Sequence, residues 1–420
     1  MILVDTLRAD HLSVYGYPRD TSPRLAAMAS EGILFKNHYS QAGCTWPSAN
    51  SILTSRPPEF FLAGRRKTGM GIPEDSPSLA ELLERRGFST AAVSASPVVR
   101  NTPSKLNRQG GFGRGFQSFD ETCPDRSAAC VNNRALKALD GMREPFFLYL
   151  HYLEPHQDYQ PPAWHERRFA TSRPDKRWVR LGDIRPISRQ IYDRQPGPEY
   201  DENDLRFLVD LYDEEILFFD ARLGELLDDL ERRGVADRTA VVLLSDHGEE
   251  LLDHGHVGHC RDLAYESLVR TPLVMRLPAA PRGVVRQGLS LNLDLVPTLL
   301  DYLEVPYPDG AFDGHSLRPL IESSTRVNRL AYATQGRARV VSDGALKLRY
   351  DIESETSTLY DLAADPGERH DLSAVRPADR DRLAAALHAW MEEREGDATP
   401  SERLRRAQES EAELKALGYL

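Results

Sequence analysis

Three short apolar runs, each ending in residues that bind metals or carry protons, constrain the fold more than any other feature of the sequence. The runs are Met1–Val4 followed by Asp5, Phe146–Leu150 followed by His151, and Ala240–Leu244 followed by Ser245, Asp246 and His247. Apolar runs of this length are typical of buried strands in parallel sheets. Open α/β sheets place their chemistry at the carboxyl ends of such strands, so we predict that the three polar ends meet at one edge of a sheet.

Helical patterns between these runs complete an alternating order of strands and helices. Ser78–Arg86 is typical of a helix with Ser78 as its N-cap and Gly87 as its end, and a further strand is predicted at Thr90–Ser94. Apolar residues at helical spacing fill Leu205–Arg233. We therefore predict an α/β fold with a doubly wound, mostly parallel sheet flanked by helices.

The pattern changes after Pro319, which predicts a change of domain. Short segments at 338–341, 345–350 and 358–360 indicate antiparallel strands, and a helix is predicted at 376–395. The predicted organisation is a large α/β domain at 1–320, a small α+β subdomain at 321–395 and a charged helical tail at 396–420. The stretch 167–200, rich in Arg, Pro, Asp and Tyr, is interpreted as a surface excursion, either a plain insertion loop or part of a lid.

Composition narrows the class of protein. The chain has 420 residues and a formal net charge of −11, because 64 acidic residues outnumber 53 basic ones. Nucleic-acid binding is not expected, since phosphate backbones require clustered Lys and Arg. No stretch approaches the ~20 apolar residues that a membrane span needs, so no membrane segment is predicted. The sequence does not set the oligomeric state.

The cysteines and the N-terminus bear on location. Four cysteines in so long a chain do not form a disulfide scaffold, and unpaired thiols are the simpler interpretation, with a Cys123–Cys130 bridge as the alternative. The chain as given lacks the features of a signal peptide, which predicts a cytoplasmic protein. A native start upstream of Met1 would allow a targeting segment and a periplasmic or secreted location.

Two strand ends together supply a set of metal-binding side chains. Asp5, Asp246 and His247 provide two carboxylates and an imidazole. This oxygen-rich set suits one divalent ion, Ca²⁺, Mg²⁺, Mn²⁺ or Zn²⁺. Each piece alone is more often a cap or turn residue than a ligand.

The segment from Gly43 to Thr54 supplies a hydroxyl group. Thr45 precedes Pro47 by two residues, and an apolar, helix-like run follows. A helix N-terminus favours anions, and a metal-bound threonine alkoxide there would be a competent nucleophile. The alternative is that Thr45 serves only as the N-cap of this helix.

Four segments resemble the sulfatase family of the alkaline phosphatase superfamily, and they follow in the family's order along nearly the whole chain. They are VDTLRADHLSVYGYPRDTSPRLAAMASEGILFKNHYSQAGCTWPSANSILTSRPP, SDHGEELLDHGHVGH, DLVPTLLDYLEVPYPDGAFDGHSLRPL and LYDLAADPGERHDLS. The resemblance implies a metal-dependent hydrolase acting on a small-molecule or polymer ester. It further implies that Asp5, Asp246 and His247 are metal ligands and that Thr45 is both ligand and nucleophile.

Two further segments resemble substrate-contacting parts of the family. In HYLEPHQDY, the histidine after proline, His156, is implied to contact the substrate as leaving-group acid or oxyanion donor, whereas His151 is interpreted as structural. Arg261 falls at the family's lysine position before Tyr265, which implies that it binds the sulfuryl or phosphoryl group. His259 is the alternative acid.

The nucleophile segment departs from the sulfatase motif, Cys-x-Pro-x-Arg or Ser-x-Pro-x-Arg, whose first residue becomes formylglycine. Thr45 stands at that first position, Ala49 stands at the arginine position, and Cys44 is one residue too early. Formylglycine is therefore not expected, and we expect loss of Cys44 to matter little. Relatives that use threonine act on phosphorus esters.

Two alternatives to a sulfate ester hydrolase stay open. One is a phosphodiesterase, phosphonate monoester hydrolase, or phosphoglycerol or phosphoethanolamine transferase-like enzyme. The other is an inactive family member that binds a sulfated or phosphorylated polymer.

Overall fold

The computed structural model describes residues 1–62, 71–172, 174–323, 329–395 and 400–417. The strands before residue 300 are β1 (Ile2–Val4), β2 (Ile33–Tyr39), β3 (Ser89–Ser94), β4 (Ser118–Asp120), β5 (Phe146–Tyr152), β6 (Val241–Ser245), β7 (Glu250–Leu251), β8 (Val257–Gly258), β9 (Leu273–Arg276) and β10 (Val284–Leu291). The strands predicted from apolar runs are therefore confirmed to within two residues at each end.

Eight of these strands form one sheet in the order β10-β2-β9-β6-β1-β5-β3-β4, and β7 and β8 form a separate ribbon. β9 is antiparallel to both of its neighbours, and the remaining pairs are parallel. β1 lies between β5 and β6, with Val4 paired to Tyr152 on one side and to Ser245 on the other. The sheet thus brings together the ends of the three predicted strands, as expected of a doubly wound fold.

Helices cover both faces of the sheet. They are α1 (Pro23–Ser30), α2 (Thr45–Thr54), α3 (Pro58–Leu62), α4 (Leu79–Glu84), α5 (Ala128–Gly141), α6 (Arg177–Arg180), α7 (Arg185–Tyr192), α8 (Glu202–Arg232), α9 (Glu266–Val269), α10 (Leu295–Tyr302) and α11 (Arg318–Ser323), with 3₁₀ turns at Ala9–His11, Ser13–Tyr15, Ala236–Arg238 and Asn292–Asp294. Ile2 and Val4 pack in the core with α1, α5 and α8, whereas Leu3 packs in the opposite core with α2, α4 and α10. This alternation follows from the two-residue period of a strand.

The helix ends follow their capping residues. Ser78 caps α4 as predicted, since its hydroxyl accepts from the Glu81 N–H at 3.1 Å and the Glu81 carboxylate accepts from the Ser78 N–H at 3.0 Å. α8 begins three residues earlier than the predicted Leu205, because Asp201 and Asp204 form the same reciprocal box. An acid–acid pair fixes this start in place of the usual Ser/Thr–Glu pair.

The excursion at 167–200 is packed and partly helical. It contains α6 and α7, and Val179 and Ile187 on these helices are fully buried. The Tyr192 hydroxyl donates to the Val257 carbonyl at 3.0 Å, which joins the end of α7 to the loop that follows β6. A plain insertion loop is therefore the wrong interpretation, because its few apolar residues reach the core.

The C-terminal part forms a four-stranded antiparallel sheet covered by a helix. Its elements are β11 (Ala331–Gln335), β12 (Ala338–Ser342), β13 (Leu346–Asp351), β14 (Thr356–Asp361), α12 (Pro377–Glu395) and α13 (Pro400–Leu417). β11 was not predicted, since its sequence AYATQ carries little apolar signal. The ends of the predicted tail, 396–399 and 418–420, lie outside the described residues. Among the helices described, none is both long and apolar enough to cross a membrane.

Candidate active site

The carboxyl edge of the sheet gathers buried acids and imidazoles. Asp5 follows β1, His151 lies near the end of β5, and Asp246 follows β6. One ligand atom from each of these residues lies within 4.8 Å of the others. His247 adjoins this group, with Nε2 3.8 Å from Asp5 Oδ1 and 3.5 Å from Asp246 Oδ2. The structure thus brings together Asp5, Asp246 and His247, as the sequence predicted.

Polar contacts orient the two carboxylates. Asp5 Oδ2 lies 3.2 Å from His151 Nε2, and Asp246 Oδ1 accepts from the backbone N–H groups of Thr6 and His247 at 3.3 and 2.9 Å. Three buried oxygens at this point, Asp5 Oδ1, Thr6 Oγ1 and Asp246 Oδ2, have no hydrogen-bond partner among the described residues. Buried polar atoms without partners are costly, so their clustering marks a place built for a ligand.

The two carboxylates differ in how burial and neighbours act on them. Burial raises the pKa of Asp246, and the nearby Asp5 carboxylate raises it further. Burial opposes ionisation of Asp5 too, but the hydrogen bond from His151 and the charges of His156 and His151 hold the pKa of Asp5 well below its usual range. Two buried carboxylates that repel each other suit a cation, because a cation would offset that repulsion.

His151 belongs to this cluster, although it was interpreted as structural. Its Nδ1 is 3.1 Å from the Tyr149 hydroxyl, and its Nε2 points to Asp5. The signal that could have found it is its place at the end of an apolar run, which it shares with Asp5 and Asp246. Because β1 pairs with β5, the ends of these two strands are neighbours and His151 contacts Asp5.

Thr45 is the first residue of α2, and its hydroxyl faces the acid cluster. Cys44 is the N-cap and makes no side-chain capping bond, so the interpretation of Thr45 as a mere N-cap is wrong. Thr45 is buried, and its Oγ1 lies 3.1 Å from His247 Nε2. His247 Nδ1 lies 2.8 Å from the Gly248 carbonyl oxygen, which can only accept, so Nδ1 donates to it and Nε2 is the ring nitrogen that faces the Thr45 hydroxyl.

Three imidazoles, those of His156, His247 and His259, lie next to one another in the site. The ring centroid of His259 is 4.6 Å from that of His247 and 4.9 Å from that of His156. His259 Nδ1 lies 2.9 Å from Glu249 Oε1, inside the protein. Burial and the neighbouring His247 lower the pKa of His259 to about 3, and burial also lowers the pKa of His156. Sequence reasoning missed Glu249, for which only its place two residues after His247 gave a signal.

Arg261 lies beside this group and stacks on the excursion. Its guanidinium carbon is 4.1 Å from the ring centroid of Tyr192 at the end of α7. By contrast, His254 stacks on Tyr265 at a centroid distance of 3.6 Å and contacts Glu250, which gives it a packing role. The arginine predicted to contact substrate is therefore held by an aromatic ring from α7.

A buried alanine occupies the position that holds arginine in the sulfatase motif. Ala49 is fully buried and packs with Ile52 and Leu53 in the core beneath α2. No cation reaches the site from this turn of the helix, because the chain has an alanine where the motif has an arginine.

The cysteines form two disulfide bonds, which corrects the interpretation of unpaired thiols. Cys44 pairs with Cys260 across 216 residues, and Cys123 pairs with Cys130 across 7. The second pair matches the alternative drawn from the sequence. The first pair was missed because nothing in the local sequence relates two residues so far apart.

Known proteins share this architecture. A family model described as sulfatase matches residues 1–305, and one described as N-sulphoglucosamine sulphohydrolase, C-terminal, matches residues 254–396. An N-acetylglucosamine-6-O-sulfatase of Bacteroides thetaiotaomicron is 23% identical, with 88% of this chain and 81% of the relative covered.

Solved structures agree in fold. A protein in complex with its substrate D-glucosamine-2-N,6-O-disulfate superposes with a TM-score of 0.75 at 20% identity, covering 95% of this chain and 98% of that one. A phosphonate monoester hydrolase from Silicibacter pomeroyi gives a TM-score of 0.75 at 19% identity, covering 94% of each chain. With most of its length matched by the family model, the chain belongs to the sulfatase family and is a hydrolase of ester bonds.

Proposed function

We propose that this sulfatase-family hydrolase cleaves sulfate or phosphorus esters with Thr45 as nucleophile, next to one divalent metal ion. The observation that carries the proposal is the position of the Thr45 hydroxyl, 3.1 Å from His247 Nε2. That nitrogen lies 3.5 Å from Asp246 Oδ2, an oxygen without a hydrogen-bond partner among the described residues. Packing alone does not explain why a buried hydroxyl at a helix N-terminus lies next to a cluster of acids. A cation held by the acids would explain the arrangement, because it would activate the hydroxyl.

The donor set fits a divalent ion. Asp5, Asp246 and His247 would hold it together with Thr45, and His151 is a further donor beside Asp5. Carboxylates alone would suit Ca²⁺ or Mg²⁺, whereas imidazoles in the set favour Mn²⁺ or Zn²⁺. When bound, such an ion lowers the pKa of a hydroxyl and draws in an anionic ester.

The residues of the chain account for the remaining steps. Burial keeps His156 and His259 neutral, so either ring could take up the proton that Thr45 Oγ gives up as it attacks sulfur or phosphorus in line. The same ring would then pass this proton to the ester oxygen as that oxygen leaves. Arg261 balances the charge on the non-bridging oxygens of the group in transfer. Water then hydrolyses the ester on Thr45, because an ordinary threonine lacks the second hydroxyl by which a formylglycine hydrate expels sulfate.

The charge of the site favours esters that carry one negative charge. Among the residues that the sequence predicts for the site and the structure describes, Ala49 supplies no cation and Arg261 supplies one permanent positive charge for the substrate oxygens. A sulfate monoester, a phosphodiester and a phosphonate monoester each carry one negative charge at neutral pH, whereas a phosphate monoester carries nearly two. We therefore expect phosphate monoesters to be the poorest substrates of the four.

A phosphonate monoester or phosphodiester hydrolase is the second candidate. The threonine nucleophile supports it, and so does the similarity in fold to a phosphonate monoester hydrolase. A sulfated amino sugar or its polymer is the substrate class suggested by the sulfatase relatives. The two disulfide bonds support the periplasmic or secreted alternative, since such bonds persist in oxidising compartments.

The test is hydrolysis of four aryl esters by the metal-loaded protein: a sulfate, a phosphodiester, a phosphonate monoester and a phosphate monoester. Turnover of one or more of the first three, lost on chelation and restored by Mn²⁺ or Zn²⁺, supports the proposal. A preference for phosphorus esters selects the second candidate. Binding of a sulfated polymer without turnover of any ester would overturn the proposal and favour an inactive binding protein.

A further inference from the structure

The Cys44–Cys260 disulfide joins the two halves of the site at their reacting residues. Cys44 directly precedes Thr45, and Cys260 directly follows His259. Both cysteines are buried, at 2% and 3% exposure, and their Cα atoms are 4.7 Å apart. The bond thus links the residue before the proposed nucleophile to the residue after a proposed acid.

The backbone next to this disulfide adopts a conformation that is unfavourable for a residue other than glycine. Cys260 has a φ of +61°, in the left-handed region that non-glycine residues rarely adopt. Its N–H donates to the Gly43 carbonyl at 2.9 Å, and the Gly43 N–H donates to the Gln335 side chain at 3.0 Å. A strained residue persists only where its surroundings fix it, and such residues cluster at functional sites.

The disulfide is the covalent link between the Thr45 and His259 segments, and it acts together with the hydrogen bond from the Cys260 N–H to the Gly43 carbonyl. Ser48 ties α2 to the Asp246 carbonyl at 2.7 Å, which fixes the helix to the metal-binding strand end. His259 is tied at 2.9 Å to Glu249, on that same side of the site. Cys44, as the N-cap, makes no side-chain capping bond to the helix.

We propose that Cys44 and Cys260 are positioning residues, and that their disulfide sets the distance between the Thr45 hydroxyl and the His259 ring during catalysis. The proposal rests on the proposed function for the roles of Thr45 and His259. Because displacement of a reacting group by about 1 Å can lower a rate about 100-fold, loss of the bond should act on kcat more than on KM.

The second disulfide supplies a matched control. Cys123–Cys130 joins two residues that are 7 apart in sequence, with Cys130 in the first turn of α5, and neither cysteine is next in sequence to a residue placed in the site. Its removal measures the general effect of losing a disulfide on kcat. Any larger fall in kcat on removal of the Cys44–Cys260 bond then measures the effect of that bond on positioning.

The experiment compares Cys44→Ala, Cys260→Ala and the double variant with Cys123→Ala/Cys130→Ala, on the aryl ester that the native protein hydrolyses fastest. We expect kcat to fall about 10-fold or more in all three Cys44–Cys260 variants with KM within about 3-fold, because one bond is lost in each. This replaces the expectation from the sequence that loss of Cys44 matters little, since Cys44 is bonded to Cys260. The control double variant should keep its kcat within about 2-fold. Unchanged kcat without the Cys44–Cys260 bond would overturn the proposal.

Single variants separate this role from formylglycine at position 44. Conversion of Cys44 would make Cys44→Ala inactive and leave Cys260→Ala active, which would overturn the positioning role. Thr45→Ala separates it from failure of the proposed function: an active Thr45→Ala protein rejects Thr45 as nucleophile. An inactive one beside a fully active double cysteine variant rejects only the disulfide's role.

A reductant provides the same test if the variants do not fold. Dithiothreitol supplies two electrons and two protons, converts the disulfide to two thiols and becomes a cyclic disulfide itself. We expect reduced Cys123→Ala/Cys130→Ala protein to lose kcat and regain it on reoxidation, with faster hydrogen exchange at the amides of residues 45, 46 and 48. Exchange and kcat that do not change on reduction would contradict the proposal.

Discussion

The two ends of the central strands follow opposite rules. At the carboxyl edge, Asp5 and Asp246 are buried, and each has one oxygen without a hydrogen-bond partner in the part of the chain that the structure describes. At the amino edge, the same strands line a cavity of about 220 Å³ whose walls are mostly apolar, among them Ile2, Phe147 and Val242. Buried charge at the carboxyl edge therefore lowers the free energy of unfolding, whereas buried apolar surface at the amino edge raises it. The difference indicates which end performs the chemistry.

Replacing Thr45, the proposed nucleophile, should produce the largest difference between the edges. We expect Thr45→Ala to lower kcat by at least about 10³-fold and to change the free energy of unfolding by only about 1 kcal/mol, because one buried hydroxyl is lost. Thr54→Ala is the matched control, since Thr54 is equally buried in the same helix and donates to the Asn50 carbonyl. Ester hydrolysis and denaturant unfolding of both variants measure these effects. Full activity of Thr45→Ala would show that Thr45 is not the nucleophile.

Neutralising an acid at the carboxyl edge should lower activity without lowering stability. Asp246→Asn removes a charge that Asp5 repels, so we expect kcat to fall about 10²-fold while the metal-free protein stays as stable or gains stability. Asp220 is a buried acid outside the site that accepts the Arg24 and Leu25 N–H groups at 2.8 Å. Asp220→Asn should lower stability and leave kcat unchanged. Thermal unfolding of both variants, measured during titration with Mn²⁺, distinguishes the two effects. Strong destabilisation by Asp246→Asn would show that the acid is structural.

Truncation at the amino edge should affect stability alone. Leu83 on α4 is 1% exposed and lines the apolar cavity. We expect Leu83→Ala to lower the free energy of unfolding by about 2–5 kcal/mol, because it removes buried methyl groups and enlarges a void. Denaturant unfolding measures this loss, and kcat of the folded variant should match that of the native protein. A large fall in kcat would show that the two edges are coupled.

The smallest effect is expected at the cap of the same helix. Ser78→Ala removes the acceptor for the Glu81 N–H, which should cost about 1 kcal/mol. Ser76→Ala is a buried serine control that lies before the helix. Thermal unfolding should separate the two variants while their kcat values stay equal. An effect of Ser78→Ala as large as that of Leu83→Ala would mean that the helix end, rather than burial, stabilises this edge.

What the sequence predicted depended on local pattern. The ends of β1 and β6 could be placed because an apolar run followed by an acid is visible within a few residues. Glu249 beside His259 and Cys44 bonded to Cys260 depend on how distant loops fold back, which local periodicity does not encode. β11 was missed because Thr334 and Gln335 gain their strand conformation from pairing with β12.

The most direct test of Thr45 as nucleophile is a single-turnover reaction with excess enzyme, quenched in acid and followed by peptide mass spectrometry. The account predicts that the sulfuryl or phosphoryl group is found on Thr45 before product is complete, and that Thr45→Ala protein carries no such group. Turnover with the group on another residue, or with undiminished rate in Thr45→Ala, would contradict it.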